Sequence, residues 1–115
     1  DLREVNLQDV SLQYANLQEV DLQRACLQEV NLQGASLRGA NLRGANLQGV
    51  NLRGVNLQEV NFQGANFEGV QLYEVVNLSP GQLINAKKVH LASDLPFSLQ
   101  EVILAKQFAA MEDDS

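Results

Sequence analysis

Residues 40–54 read ANLRGANLQGVNLRG, which is three consecutive copies of a five-residue unit. Each copy runs from a small apolar residue through Asn and Leu to Gln or Arg and then Gly. Traced outward in both directions, the same spacing places a bulky apolar residue at fifteen successive positions: Leu2, Leu7, Leu12, Leu17, Leu22, Leu27, Leu32, Leu37, Leu42, Leu47, Leu52, Leu57, Phe62, Phe67 and Leu72. A repeat this strict has to be explained before any other pattern in the chain.

A five-residue period excludes one continuous helix and one continuous strand. In a helix, successive leucines would lie about 140° apart around the axis, and in a strand they would alternate between the two faces. Val5 and Leu7 are two residues apart, so in extended backbone both point to one face while Asn6 points away. Residues 8 and 9 must then turn the chain before Val10. Each unit is therefore predicted to form one short extended side and one corner.

The glycines support the predicted corners. Seven of the eight glycines occupy the second residue after the central Leu or Phe: Gly34, Gly39, Gly44, Gly49, Gly54, Gly64 and Gly69. This is the third turn position, where a type II turn needs positive φ. The same position elsewhere holds Glu4, Asp9, Tyr14 or Arg24, and we expect those corners to be other turn types.

The quoted stretch resembles the consensus Ala-(Asp/Asn)-Leu-X-X of the pentapeptide-repeat family, and the match runs through the first 75 residues. The resemblance implies an all-β solenoid: a right-handed quadrilateral β-helix with four units per coil. Fifteen units would then make about four coils, with a length of about 18 Å. Val is unusually common at the small inward position. Val10, Val30, Val50 and Val70 would form one complete column, along which we expect a tighter interior or a displaced wall.

The repeat ends near residue 78, and we expect two domains: a β-helix over 1–78 and a C-terminal α-helical cap over 79–115. Ser79 is placed as an N-cap, Pro80 at the first helical position and Gln82 to close a capping box. Leu83, Ile84 and Ala86 are predicted to lie over the open coil. Residues 77–96 also resemble the tails that follow cyanobacterial pentapeptide repeats.

A second helix is predicted from Leu99 to Met111, because Ser98 can cap it and Glu101 completes a capping box. Its apolar residues are spread over most of the circumference, which is wider than one contact requires. We therefore expect a homodimer joined through this helix by a two-fold contact. The predicted interaction residues are Leu99, Ile103, Leu104, Phe108 and Met111.

The net charge of −6 is unevenly distributed. Residues 1–20 have a net charge of −3, and residues 41–60 have +1. With neither a basic stripe nor a continuous acidic face, direct nucleic-acid binding is not expected. No apolar run approaches the length of a membrane span. Because the sequence begins in mid-repeat at Asp1, we expect an upstream segment; the protein is expected in the cytoplasm, or exported or in the thylakoid lumen if that segment holds a signal.

Catalytic, cofactor-binding and metal-binding residues are not predicted. Catalysis needs groups that converge in a cleft, whereas this pattern gives an apolar interior and flat polar walls. Cys26 and His90 are single residues without a predicted base or ligand beside them. The sequence thus favours a non-enzymatic scaffold for an unknown protein partner. The alternative is an acidic DNA mimic that modulates DNA gyrase, as some family members are; Arg38, Arg43 and Arg53 disfavour it.

Overall fold

A computed structural model describes residues 1–94 and Gln100 of the chain. Parallel β-bridges join positions twenty residues apart without interruption, from Asn6 with Cys26 to Asn56 with Val76. Bridging residues occur every five positions, so twenty residues make one coil with four sides. Each extended side is a single bridge rather than a longer strand, because the chain turns again after two further residues. The described part therefore has the predicted four-sided coil.

All five backbone amides of a unit with Asn are paired, which helps to explain why the coil is stable with such short sides. In unit 45–49 one amide closes the preceding corner, three bond to neighbouring coils and one bonds to the unit's own Asn side chain. The bonds are Ala45 N to Leu42 O at 3.0 Å, Asn46 N to Ala25 O at 3.0 Å, Leu47 N to Asn66 O at 3.1 Å, Gly49 N to Glu68 O at 2.9 Å, and Gln48 N to Asn46 Oδ1 at 3.1 Å.

All fifteen corners share one backbone feature, a left-handed residue enclosed by a hydrogen bond between the first and fourth residues of the turn. The glycine corners have φ of 68–73° and turn hydrogen bonds of 2.8–3.1 Å, whereas the other corners have φ of 58–64° and bonds of 3.1–3.3 Å. The expectation that corners with Glu4, Asp9, Tyr14 or Arg24 are other turn types is therefore wrong, because these residues have positive φ as well. Corners without glycine are slightly wider versions of the same turn.

The core is a column of inward Leu, Phe, Val and Ala side chains. From Leu22 to Leu72, every central residue of the repeat is at most 2% exposed. Phe62 and Phe67 meet edge to face, with their ring centroids 4.9 Å apart. The first coil is less protected than the others, and Leu2 and Val10 are 38% and 37% exposed. Val30, Val50 and Val70 are fully buried, so three members of the predicted valine column line the interior.

Beyond the repeat, the chain adds a short helix, α1 (Pro80–Leu83), and a 3₁₀ turn, Val89–Leu91. Leu83 and Ala86 are buried as predicted, but Ile84 is 58% exposed, so the prediction that it covers the coil is wrong. Adjacent helical residues point about 100° apart, and Leu83 already occupies the inward direction. The predicted helix Leu99–Met111 lies outside the described residues apart from Gln100, and the division at residue 78 stays a prediction.

The bridge ladder continues past the five-residue pattern. Lys87 bridges to Asn66 and Ser93 bridges to Gln71, at separations of 21 and 22 residues. Their amides donate to Ala65 O and Val70 O at 2.7 and 2.8 Å. Residues 76–80 thus complete the fourth coil, and residues 81–93 form a partial fifth coil whose sequence does not show the repeat.

Candidate interaction surface

The Asn side chains of the walls are used by the fold itself. At eleven units the Asn or Asp Oδ1 accepts a hydrogen bond from the amide two residues later, as between Asn51 and Arg53 at 2.9 Å. That amide has no ladder partner, so the side chain satisfies it. Within residues 1–94, no such bond forms where Ser36 or Cys26 replaces Asn. The Asn columns are therefore structural.

One edge of the solenoid carries exposed aromatic side chains. We call it the aromatic edge and define it by Tyr14, Gly34, Arg53, Gly54 and Tyr73. Tyr14 and Tyr73 are 74% and 49% exposed, and the Arg53 guanidinium carbon lies 5.1 Å from the Tyr73 ring centroid. The Tyr14 ring covers Gly34, where an added Cβ would lie 2.5 Å from the ring, whereas an added Cβ at Gly54 would meet no atom within 4 Å. Tyr and Arg are enriched at the energetic centres of protein interfaces.

Charged residues are scattered over the other edges. Glu4 with Arg24 and Glu68 with Lys88 form ion pairs at 3.1 Å, and all four side chains are at least 39% exposed. Pairs this exposed contribute little stability. Arg38 and Arg43 are exposed, as is Arg53 of the aromatic edge. They interrupt the acidic surface that a mimic of the DNA backbone would need.

A groove opens where one column of bridges stops early. The Asn46 and Asn51 columns continue to Lys87 and Ser93 in the fifth coil, but over residues 1–94 the Asn41 column ends at Asn61 in the fourth. Helix α1 stands there instead, leaving a groove of about 160 Å³ lined by Val60, Asn61, Phe62, Gln63, Gly81, Gln82 and Asn85.

Gln82 occupies the position of the missing strand. Its Nε2 donates to Leu57 O at 2.7 Å and Val60 O at 3.0 Å, while its Oε1 accepts from Ser79 N at 2.7 Å. In the lower coils the carbonyl equivalent to that of Val60 accepts from a ladder amide, as Val20 O does from Asn41 N. The sequence predicted the contact with Ser79 but not the bonds to the coil, since nothing in the residue order indicates which carbonyls the side chain would reach.

The described residues contain no group of His, Cys, Asp or Glu side chains that could hold a metal ion. Across the same part of the chain, no helix is long and apolar enough to cross a membrane. Cys26 is half-buried within the wall, bridged to Asn6 and Asn46. The predicted interaction residues Leu99, Ile103, Leu104, Phe108 and Met111 lie outside the described residues, so the predicted dimer contact remains a prediction.

The family model for pentapeptide repeats matches residues 1–39 and 35–72, in eight copies. The chain belongs to the pentapeptide-repeat family. Proteins of this family fold as right-handed quadrilateral β-helices and are generally non-enzymatic structural repeat proteins. The four-sided coil and its twenty-residue period agree with this fold.

Several solved structures of cyanobacterial and plant proteins are similar to the chain. Rfr23, a pentapeptide repeat protein from the cyanobacterium Cyanothece 51142, is 38% identical, with a TM-score of 0.60 over 64% of this chain and 53% of its own. The chain thus spans about half the length of Rfr23. HetL from Nostoc sp. strain PCC 7120, involved in heterocyst differentiation regulation, is 33% identical (TM-score 0.35, covering 61% and 37%). A protein from the Arabidopsis thaliana thylakoid lumen is 25% identical (TM-score 0.34, covering 68% and 57%). No curated protein matches the chain.

Proposed function

We propose that this protein is a non-enzymatic scaffold that holds a protein partner on its outer surface. The main support for this proposal is the filled interior. From Leu22 to Leu72 the central Leu and Phe side chains of the repeat are buried against one another, so the interior offers no cleft for a substrate. The Oδ1 atoms of wall residues such as Asn46 and Asn51 already accept hydrogen bonds from backbone amides, so they are poorly placed to act on a substrate. What remains is a rigid exterior, which loses little conformational entropy when it binds.

The aromatic edge is the part of that exterior best suited to a protein partner. Tyr14 and Tyr73 present large exposed rings, and Arg53 is held against one of them. Such side chains provide contact area at a low cost in conformational entropy, and the corner backbone beneath them is fixed by turn hydrogen bonds.

Affinity capture from the native host, using the full chain, tests the scaffold. We expect specific partners to be retained by the wild type and by the wall variant Gln48→Ala, and to be lost from the double variant Tyr14→Ala/Tyr73→Ala. Retention of the same partners by the double variant would remove the aromatic edge from the proposal. If the wild type retains no specific partner, the scaffold function itself is wrong.

The alternative, an acidic DNA mimic that modulates DNA gyrase, is supported only by the overall charge of −6. The exposed arginines weaken it, and we do not favour it. A gyrase supercoiling assay separates the two functions. Inhibition of supercoiling, or protection against a gyrase-directed drug, would contradict a role limited to scaffolding.

We also propose that residues 79–115 form a helical cap on the β-helix of residues 1–78, and that helix Leu99–Met111 joins two copies. The buried Leu83 and the bonds from Gln82 to the coil support the cap. We propose the cytoplasm as the compartment, with export or the thylakoid lumen as the alternative if the intact protein has an export signal. Fractionation of the host distinguishes them.

A further inference from the structure

We propose that Ser79 is a phosphorylation site, and that a phosphate on its hydroxyl releases helix α1 and the partial fifth coil from the coil beneath. The enzyme required is a proline-directed serine/threonine kinase, with a nucleoside triphosphate as the phosphoryl donor. This inference goes beyond the scaffold function, because it concerns how the end of the solenoid is held and not which partner the solenoid binds.

Ser79 combines an accessible hydroxyl with the local sequence and backbone that such kinases use. Of the six serines in the chain, only Ser79 precedes a proline. The residue is exposed, and its φ of −109° and ψ of 155° are those of extended backbone, which Pro80 favours by disfavouring the helical region at the residue before it. Protein kinases bind the residues around the acceptor hydroxyl in extended conformation, so Ser79 can enter a kinase site with little change in its own backbone.

The Ser79 hydroxyl is bonded to the side chain that fastens α1 to the coil. Its Oγ donates to Gln82 Oε1 at 3.2 Å, and the Ser79 backbone amide donates to the same oxygen at 2.7 Å. At the other end of the Gln82 amide, Nε2 donates to Leu57 O at 2.7 Å and to Val60 O at 3.0 Å, which uses both of its protons. The acceptor end of this amide thus faces Ser79, and its donor end faces the coil.

Phosphorylation changes the Ser79 side chain from a donor into an acceptor. In the transfer, the hydroxyl oxygen forms a bond to the terminal phosphorus of the triphosphate, the bond from that phosphorus to the leaving diphosphate breaks, and the hydroxyl proton passes to the base of the kinase. The product carries a charge of about −1.5 to −2 near neutral pH on strong acceptor oxygens. Gln82 Oε1 then loses the bond from Oγ and faces negatively charged oxygens instead.

Reversing the Gln82 amide does not remove this conflict. In the reversed orientation Nε2 can donate to the phosphate, but Oε1 then faces Leu57 O and Val60 O, which are acceptors only. The phosphate and the coil therefore compete for a single NH2 group. Because either orientation places an acceptor against acceptors, phosphorylation weakens the attachment of α1 to the coil.

One pair of backbone amides reports whether the fifth coil is released. Gly64 N donates to Asn85 O at 2.7 Å, so it loses its acceptor when residues 81–93 move away. Gly44 N occupies the same corner one coil lower and donates to Gln63 O at 2.8 Å, so it keeps its acceptor. The two amides are a matched probe and reference within one molecule.

The test treats the folded full chain with ATP and a cyclin-dependent kinase, and peptide mass spectrometry locates the phosphate. We expect a phosphate on Ser79, after which hydrogen exchange of the Gly64 amide becomes about tenfold faster while that of Gly44 is unchanged. A tenfold change corresponds to about 1.4 kcal/mol, which is the cost expected for one unsatisfied buried hydrogen-bonding group. Ser79→Ala is the control. It should exchange as the wild type does, because the backbone amide of residue 79 keeps its bond to Gln82 Oε1.

Two results would overturn the proposal. The site is wrong if Ser79 takes no phosphate under conditions in which the kinase modifies a free peptide of residues 76–82. The release is wrong if phosphorylated Ser79 leaves the exchange of the Gly64 amide unchanged. Both results leave the scaffold function standing, since that function is tested by capture of partners on the unmodified chain.

Discussion

Neighbouring side chains in a unit alternate between the interior of the solenoid and its outer surface, and single substitutions can test this assignment. Leu47 is fully buried in the middle of the solenoid, and Gln48 beside it is exposed. We predict that Leu47→Asp destabilises the protein by at least about 4 kcal/mol and unfolds it, because the carboxylate would be buried without a partner. Gln48→Asp should change stability by less than about 0.5 kcal/mol. Thermal unfolding of the two variants followed by circular dichroism measures the difference, and equal midpoints would contradict the assignment.

The Asn side chains of the walls should stabilise the coil through one hydrogen bond each. We predict that Asn51→Ala costs about 0.5–1.5 kcal/mol, because the Arg53 amide loses its acceptor at 2.9 Å. Ser36→Ala is the matched control, since the Ser36 hydroxyl makes no equivalent bond to the Arg38 amide and should cost less. Urea unfolding midpoints compare the two variants. A larger loss at Ser36 would show that Asn is selected for another reason.

The corner glycines differ in what surrounds them, which allows backbone strain to be tested alone. Gly54 has φ of +72° and no atom within 4 Å of an added Cβ. We predict that Gly54→Val costs about 1–2 kcal/mol and Gly54→Asn about 0.5 kcal/mol, because Asn tolerates left-handed backbone better than a β-branched residue. The thermal unfolding midpoints of the two variants, measured by calorimetry, test this prediction. Equal midpoints would show that the backbone at this corner can leave the left-handed region.

At the scale of elements, helix α1 and Gln82 close one side of the solenoid. We predict that Gln82→Glu destabilises the protein by about 1–3 kcal/mol, because a carboxylate cannot donate to Leu57 O and Val60 O and would repel both. Gln63→Glu, on the same groove but exposed, should be close to neutral. Hydrogen exchange of coil amides and urea unfolding provide the measurements. If both substitutions have the same effect, Gln82 does not replace the missing strand.

The repeat could be predicted from sequence because the residues within each five-residue unit are enough to predict its extended side and its corner. The spacing of Val5 and Leu7 and the position of Gly44 are local signals, and fifteen copies of them all favour the same fold. The partial fifth coil could not be predicted, because Lys87 and Ser93 join the ladder through long-range pairing without the repeat pattern. The exposure of Ile84 was missed for a similar reason, since a helix of one turn has no periodicity from which its direction can be inferred.

At the scale of the whole molecule, the open question is whether two copies associate. We predict a particle of two chains at micromolar concentration by light scattering, reduced to one chain by Phe108→Glu with the far-ultraviolet signal retained, because a charge would be placed in an apolar contact. Ile84→Glu is a control on the described surface, where the side chain is already 58% exposed, and should keep the wild-type mass. A single-chain mass for wild type, unchanged by Phe108→Glu, would end the dimer proposal.

The constant separation of bridged residues has a consequence for how fast the protein folds. From Asn6 to Val76 each bridge joins residues twenty apart, so adding a coil never lengthens the loop that must close. Loop-closure entropy grows with loop length and not with the number of loops already closed. Relative contact order therefore falls as such a chain grows, and the search for the native state becomes a series of equal local steps that can start at any coil. Chain length sets how many steps are needed, while the height of each barrier stays the same.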